Sequence, residues 1–232
     1  MMHRTRIKIC GLTRSADIDA AISAGADAIG LVFYAASPRY VAPDLAAELL
    51  KHVPAFVTIT GLFVNASVDE VQEVVRKVPI SLLQFHGDET PDQCFQIARA
   101  VNRPFIRAMR IGPTATSSDL VEYELAYRRT GSLFLGLLLD TFVDGYGGSG
   151  KVFDWSLIPE ELAHQAVLSG GLTVHNVTDA VRRVHPYAVD VSSGVEAAKG
   201  IKDAAAIDCF IHAVRAADAA SAPAIYPSRE PP

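Results

Sequence analysis

The sequence predicts an α/β fold, a single (β/α)8 TIM barrel, and three observations carry that expectation. Short runs rich in β-branched and aliphatic residues recur along the chain, and each is followed by a helical pattern. The runs are apolar almost throughout, as in Leu133–Leu139, which marks parallel strands buried on both faces. Eight such strand–helix units fit into 232 residues, a usual size for one closed barrel, and no linker divides them.

In chain order the expected strands are Arg6–Cys10, Asp27–Phe33, Phe56–Phe63, Ile80–Phe85, Pro104–Met109, Leu133–Asp140, Gln165–Ser169 and Tyr187–Ser192. The expected helices are Ser15–Ala24, Pro43–Val53, Ser67–Val78, Pro91–Val101, Ser117–Arg129, Trp155–Ala163, Val174–Val184 and Lys202–Ala219. Capping signals mark several starts: Ser67 has Glu70 three residues on, and Thr90 precedes Pro91. The barrel is expected over residues 1–219, with a Pro/Ala-rich, disordered tail over 220–232. An open doubly wound sheet is the main alternative, and the lack of GxGxxG after the first strand counts against its dinucleotide-binding form.

Composition narrows the function. The net charge of −5 argues against a general nucleic-acid binder. No apolar run is long enough to span a bilayer, and the charged start Met1–Arg6 has no apolar segment behind it, so neither membrane nor signal peptide is expected. Cys10, Cys94 and Cys209 are odd in number and far apart, which suits free thiols in a reducing cytoplasm.

Polar residues collect where the strands end. Strand 1 ends in Cys10-Gly-Leu-Thr13, strand 2 leads into Ser37-Pro-Arg39, and strand 4 ends in Gln84-Phe-His86. Strand 6 ends in Asp140 and strand 8 in Asp190-Val-Ser192-Ser193-Gly194. The C-terminal strand ends of such barrels form the active-site face. Ser169-Gly170-Gly171 after strand 7 and Ser192-Ser193-Gly194 after strand 8 read as a phosphate site, with backbone N–H groups approaching the anion and a short helix starting near Gly194. Asp144–Gly150 reads as a mobile lid; it lacks the spacing of a nucleotide phosphate loop. Lys8 shares a face with Cys10, so its charge would favour the thiolate. Asp140 ends an apolar strand, where burial suits a general acid, and the Arg39 fork suits a carboxylate.

The ordered set of motifs resembles phosphoribosylanthranilate isomerase. It comprises Lys8-Ile-Cys-Gly-Leu-Thr13, Ser37-Pro-Arg39, Gly61-Leu-Phe-Val-Asn65, Leu83-Gln-Phe-His-Gly-Asp88, Leu138-Leu-Asp140, Gly147-Gly-Ser-Gly-Lys151, Ser169-Gly-Gly-Leu172 and Asp190-Val-Ser-Ser-Gly-Val-Glu196. The likeness runs from about Arg6 to Val214; Ser149 stands where the family commonly has Thr. It implies an Amadori rearrangement with Asp140 as general acid and Cys10 as general base. It further implies Arg39 on the anthranilate carboxylate, Gly170, Gly171, Ser192, Ser193 and Gly194 on the phosphate, and Asp190, Gln84 and His86 around the sugar. The implied partner is a small phosphorylated substrate, with no cofactor and no metal, in a monomer or homodimer.

Three other readings compete. A metal-dependent epimerase could use His86, Asp140 and Asp190, but it wants a second histidine at a strand end. The related histidine-pathway isomerase wants an aspartate where Cys10 stands. A non-catalytic sugar-phosphate binder would show the same glycine loops, and only the Cys10/Asp140 pair speaks against it.

Overall fold

A computed structural model describes residues 4–141 and 152–221. Eight parallel strands close into a barrel: β1 Arg6–Cys10, β2 Ala28–Val32, β3 Thr58–Phe63, β4 Leu82–Phe85, β5 Phe105–Ile111, β6 Phe134–Thr141, β7 Val167–Leu168 and β8 Ala188–Val191. Each pairs with its sequence neighbours, and β8 closes the ring on β1 through Ile7↔Val189 and Lys8↔Asp190. Helices α1 Ser15–Ser23, α2 Pro43–Leu49, α3 Val68–Lys77, α4 Pro91–Val101, α5 Ser117–Arg128, α6 Glu160–Ala163, α7 Val177–Val184 and α8 Ala204–Ser221 surround it. The capping boxes read from sequence form at α3, where Ser67 pairs with Glu70, and at α4, where Thr90 pairs with Gln93.

Several elements are shorter than expected, α2 ending at Leu49, α7 starting at Val177 and β7 covering only Val167–Leu168, and other differences have a clear cause. The helix expected over Trp155–Ala163 splits into a 3-10 turn, Trp155–Leu157, and the single turn α6. Pro159 causes the break: a residue before proline is excluded from helical geometry, and Ile158 sits at φ −82°, ψ 113°. The helix expected from Lys202 begins at Ala204, because a two-stranded ribbon precedes it, β9 Glu196–Ala198 and β10 Ile201–Lys202. Finally, α8 runs past Ala219 to Ser221; the rest of the tail and the Asp144–Gly150 lid lie outside the described residues.

Side-chain alternation sorts each strand. Ile7, Ile9, Leu83, Phe85, Leu137, Leu139, Val189 and Val191 join the large core between sheet and helices. Their neighbours therefore face the barrel axis. Low in the barrel that lining is apolar, with Ile106, Ala108 and Leu138. Nearer the mouth it turns polar: Lys8, Thr60, Gln84 and Asp190 are all buried. A polar layer of this kind costs stability unless each group finds a partner. It lies directly beneath the ends of the strands. Among the described residues, no helix is long and apolar enough to cross a membrane.

Candidate active site

Cys10 is the last residue of β1 and is buried. Lys8 lies beneath it and donates to Asp190 Oδ1 at 2.7 Å, with both charges buried. Ser169 Oγ donates to the other Asp190 oxygen at 3.1 Å. Gly30 on β2 makes the space: a Cβ there would lie 2.9 Å from Cys10 Sγ and 3.1 Å from Lys8 Nζ. Burial opposes the Lys8 charge, but Asp190 and Cys10 outweigh it and hold the ammonium above its ordinary range. For Cys10 burial is the largest influence and pushes the thiol up, beyond what Lys8 pulls down.

That corrects the expectation that Lys8 leaves a ready thiolate. The free site holds a neutral thiol above a cation that is already engaged by Asp190. The thiolate should therefore form only above the ordinary thiol range. Iodoacetamide alkylation followed against pH, with Cys10→Ser as the blank, reads the thiolate directly. A midpoint below that of an ordinary thiol would contradict this environment.

Asp140, near the end of β6, is half-buried rather than enclosed in apolar surroundings. Its Oδ2 lies 3.0 Å from His86 Nε2, and its Oδ1 accepts from the Thr141 N–H at 2.8 Å. On the far side of the ring, Gln84 Nε2 lies 3.0 Å from His86 Nδ1. With the amide nitrogen as donor, the ring proton sits on Nε2 and points at the carboxylate. With the amide turned over, Nδ1 carries the proton, and Nε2 can accept from a protonated Asp140. Gln84 Oε1 is itself buried and without a partner among the described residues. The row Gln84–His86–Asp140 thus accommodates Asp140 in either protonation state.

The backbone around His86 is fixed from outside the barrel. Buried Arg107 donates to the carbonyls of Phe85 and Gly87, each at 2.9 Å. Its ion-pair partner Glu89 accepts from the N–H groups of Gly87 and Asn65. Neither Arg107 nor Glu89 was legible as a site residue, since nothing local in the sequence says that they meet.

The glycine loops lie together at the mouth. Gly170 and Gly171 have φ of +78° and +69°, a region that favours glycine. A Cβ on Gly170 would lie 2.7 Å from Asp140 Oδ1, and one on Gly194 would lie 1.9 Å from the Leu172 carbonyl oxygen. Loops 7 and 8 therefore touch through bare backbone. The short helix expected near Gly194 is a 3-10 turn, Ser193–Val195.

Arg39 reaches the same mouth, but its fork already holds a carboxylate. Nε and Nη2 donate to Glu196 Oε1 and Oε2 at 2.7 and 2.9 Å. Lys202 Nζ, fully buried, lies 2.9 Å from the same Oε1. Nothing local in the chain announces this triad; its only trace is Glu196 in the Ser-Ser-Gly-Val-Glu motif. The trio named for a metal does not assemble: His86 and Asp140 meet, while Asp190 is taken by Lys8. Among the described residues, no group of three or more His, Cys, Asp or Glu side chains could hold a metal ion.

Residues 7–213 match the family described as N-(5'phosphoribosyl)anthranilate (PRA) isomerase. The N-(5'-phosphoribosyl)anthranilate isomerase of Herminiimonas arsenicoxydans is 66% identical over 220 residues, which are 95% of this chain and 97% of that one. Phosphoribosyl anthranilate isomerase from Thermotoga maritima superposes with a TM-score of 0.80 at 40% identity, covering 91% of this chain and 99% of that one. Another crystal structure from that organism is of monomers generated from the dimeric enzyme. A phosphoribosyl anthranilate isomerase in complex with reduced 1-(o-carboxyphenylamino)-1-deoxyribulose 5-phosphate gives a TM-score of 0.76 at 38% identity, covering 91% and 99%.

Proposed function

The chain belongs to the N-(5'-phosphoribosyl)anthranilate isomerase family and converts N-(5-phosphoribosyl)anthranilate to 1-(2-carboxyphenylamino)-1-deoxyribulose 5-phosphate in tryptophan biosynthesis, and from that premise we propose how its own residues divide the rearrangement. Asp140 is the general acid and protonates the furanose ring oxygen. The C1′–O bond breaks as the anilino nitrogen supplies its electron pair, giving an open-chain, cationic Schiff base. Cys10 is the general base and removes the C2′ proton. The C–H electrons form the C1′=C2′ bond of an enolamine, which tautomerises to the ketone.

One observation carries this reading. An acid and a thiol stand on axis-facing positions at the mouth, with His86 beside Asp140 and the Lys8–Asp190 pair beneath Cys10. The neutral thiol of the free site fits an ordered reaction. Ring opening places a cation near Cys10, and that charge favours the thiolate at the moment it is needed. Arg39 grips the anthranilate carboxylate with the edge of its fork that Glu196 leaves open. Loops Gly170–Leu172 and Ser192–Gly194 bind the phosphate through backbone N–H groups. Asp190 acts chiefly by holding Lys8 in the barrel, and Gln84 and His86 border the sugar.

The same reading extends to the setting. The partner is a small phosphorylated molecule, as in the relative bound to a reduced product. The chain works as a monomer or a homodimer, in the cytoplasm, where its three unpaired cysteines stay reduced. The test is turnover of freshly generated substrate by purified protein in excess chelator. Undiminished conversion is expected, because proton transfers suffice. Loss of activity that added metal restores would contradict the mechanism.

A further inference from the structure

We propose that Glu196 and Lys202 of the β9–β10 ribbon aim Arg39 and set the charge around it, and thereby give the enzyme its selectivity for a substrate bearing an aryl carboxylate. The inference rests on the assignment of Arg39 to that carboxylate. A guanidinium carries five N–H donors. Glu196 takes the edge made by Nε and Nη2, at 2.7 and 2.9 Å. The opposite edge, Nη1 with the second Nη2 hydrogen, keeps the geometry of a second bidentate site. One carboxylate therefore fixes the plane in which the arginine can receive another.

A single arginine bound to a single glutamate is neutral and has little to attract an anion. Lys202 changes that balance. Its Nζ lies 2.9 Å from Glu196 Oε1, 3.0 Å from the Ser192 carbonyl and 3.3 Å from Ser192 Oγ. Three acceptors around one nitrogen match the three donors of an ammonium. Arg39, Glu196 and Lys202 then carry a net charge of +1 at a site with little solvent to screen it. Burial pushes the Glu196 carboxyl up, but its bonds from Arg39 and Lys202 prevail and hold it below the usual range; burial pulls the Lys202 ammonium below its ordinary range, against the bond to Glu196 that favours its charge.

The fold around the triad is arranged to the same end. Glu196 and Lys202 face each other across the ribbon. The ribbon turns at Gly200, φ +76°, where a Cβ would lie 2.8 Å from the Pro38 carbonyl oxygen, so the turn rests on the loop that carries Arg39. Thr13 Oγ1 donates to the Gly200 carbonyl at 2.7 Å and ties the ribbon to the first loop. Gly11 lies beneath the Arg39 stem; a Cβ there would be 2.5 Å from Cδ. Buried charge clusters are a poor source of stability, and apolar replacements are often as stable. A role in binding accounts for one here.

The experiment measures affinity for two stable ligands. One is the reduced product amine, and the other is its counterpart without the aryl carboxylate. Arg39→Met should weaken the first by about 10- to 100-fold, as for a lost charge-assisted pair, and leave the second within about twofold. Lys202→Met should reproduce the same selectivity at about 5- to 20-fold, although the Lys202 donors are taken by Ser192 and Glu196. Lys202→Gln keeps a hydrogen-bonding head without the charge and should match Lys202→Met, whereas Lys202→Arg should restore most of the affinity. In turnover the loss should fall on KM more than on kcat. If Arg39→Met discriminates between the ligands and neither Lys202→Met nor Lys202→Gln does, the triad proposal fails while the Arg39 assignment stands. If no variant discriminates, both fail. Equal weakening of both ligands by the Lys202 variants would mean a structural or phosphate-directed role and would also overturn it.

Discussion

Cys10→Ser lowers turnover by about 1,000-fold or more and leaves binding of the reduced product amine within about twofold. A positioned general base contributes roughly 100- to 10,000-fold, and a serine hydroxyl is far less acidic than even a buried thiol. The substitution is nearly isosteric, and the space beside Gly30 that admits Sγ also admits Oγ. Lys8 keeps its partner Asp190, so no charge is stranded. The loss then belongs to the chemical step and not to binding, which separates a base from a packed thiol. Near-normal turnover in Cys10→Ser would return Cys10 to the role of a core residue. The base would then be sought at Asp190 or His86.

Asp140→Asn lowers turnover by about 100-fold or more, again with the reduced product amine bound nearly as tightly. Asparagine keeps the size and can still accept from the Thr141 N–H, and the bond from Thr141 Oγ1 to the Gly170 carbonyl, which joins loops 6 and 7, is untouched. It has no acidic proton to deliver to the ring oxygen. His86 remains at 3.0 Å from the altered group and can still orient it. His86→Gln should cost less than Asp140→Asn, because it removes a neighbour and not the acid. A larger loss in His86→Gln would transfer the acid role to the imidazole.

The barrel was legible because its signals are local. Apolar runs place the strands, capping residues such as Ser67 and Thr90 start helices, and the polar residues after each run mark the mouth. Pro159 was equally visible and should have broken the helix expected over Trp155–Ala163. The ribbon was harder. Glu196-Ala-Ala-Lys-Gly-Ile-Lys202 has little β propensity, and its strands form through contacts with the first two loops. Period-2 alternation put Lys8 beneath Cys10, but its effect depends on Asp190, far along the chain, and on burial. Sequence could supply the cation but not the desolvation that outweighs it. Likewise, Arg39 read as an open fork, because its partner Glu196 arrives from the other end of the chain.

The two proton transfers have an order: Asp140 opens the ring, and Cys10 acts only on the opened chain. Reductive trapping tests that order most directly. Each variant is mixed with substrate and quenched near neutral pH with cyanoborodeuteride, which delivers deuteride to C1′ of an open-chain Schiff base and leaves a ketone product unreduced. C1′-labelled amine, approaching one equivalent per active site, is expected from Cys10→Ser and almost none from Asp140→Asn. C1′-labelled amine from Asp140→Asn at the level of Cys10→Ser would contradict that order, since the ring would then open without the proton that Asp140 is assigned to give.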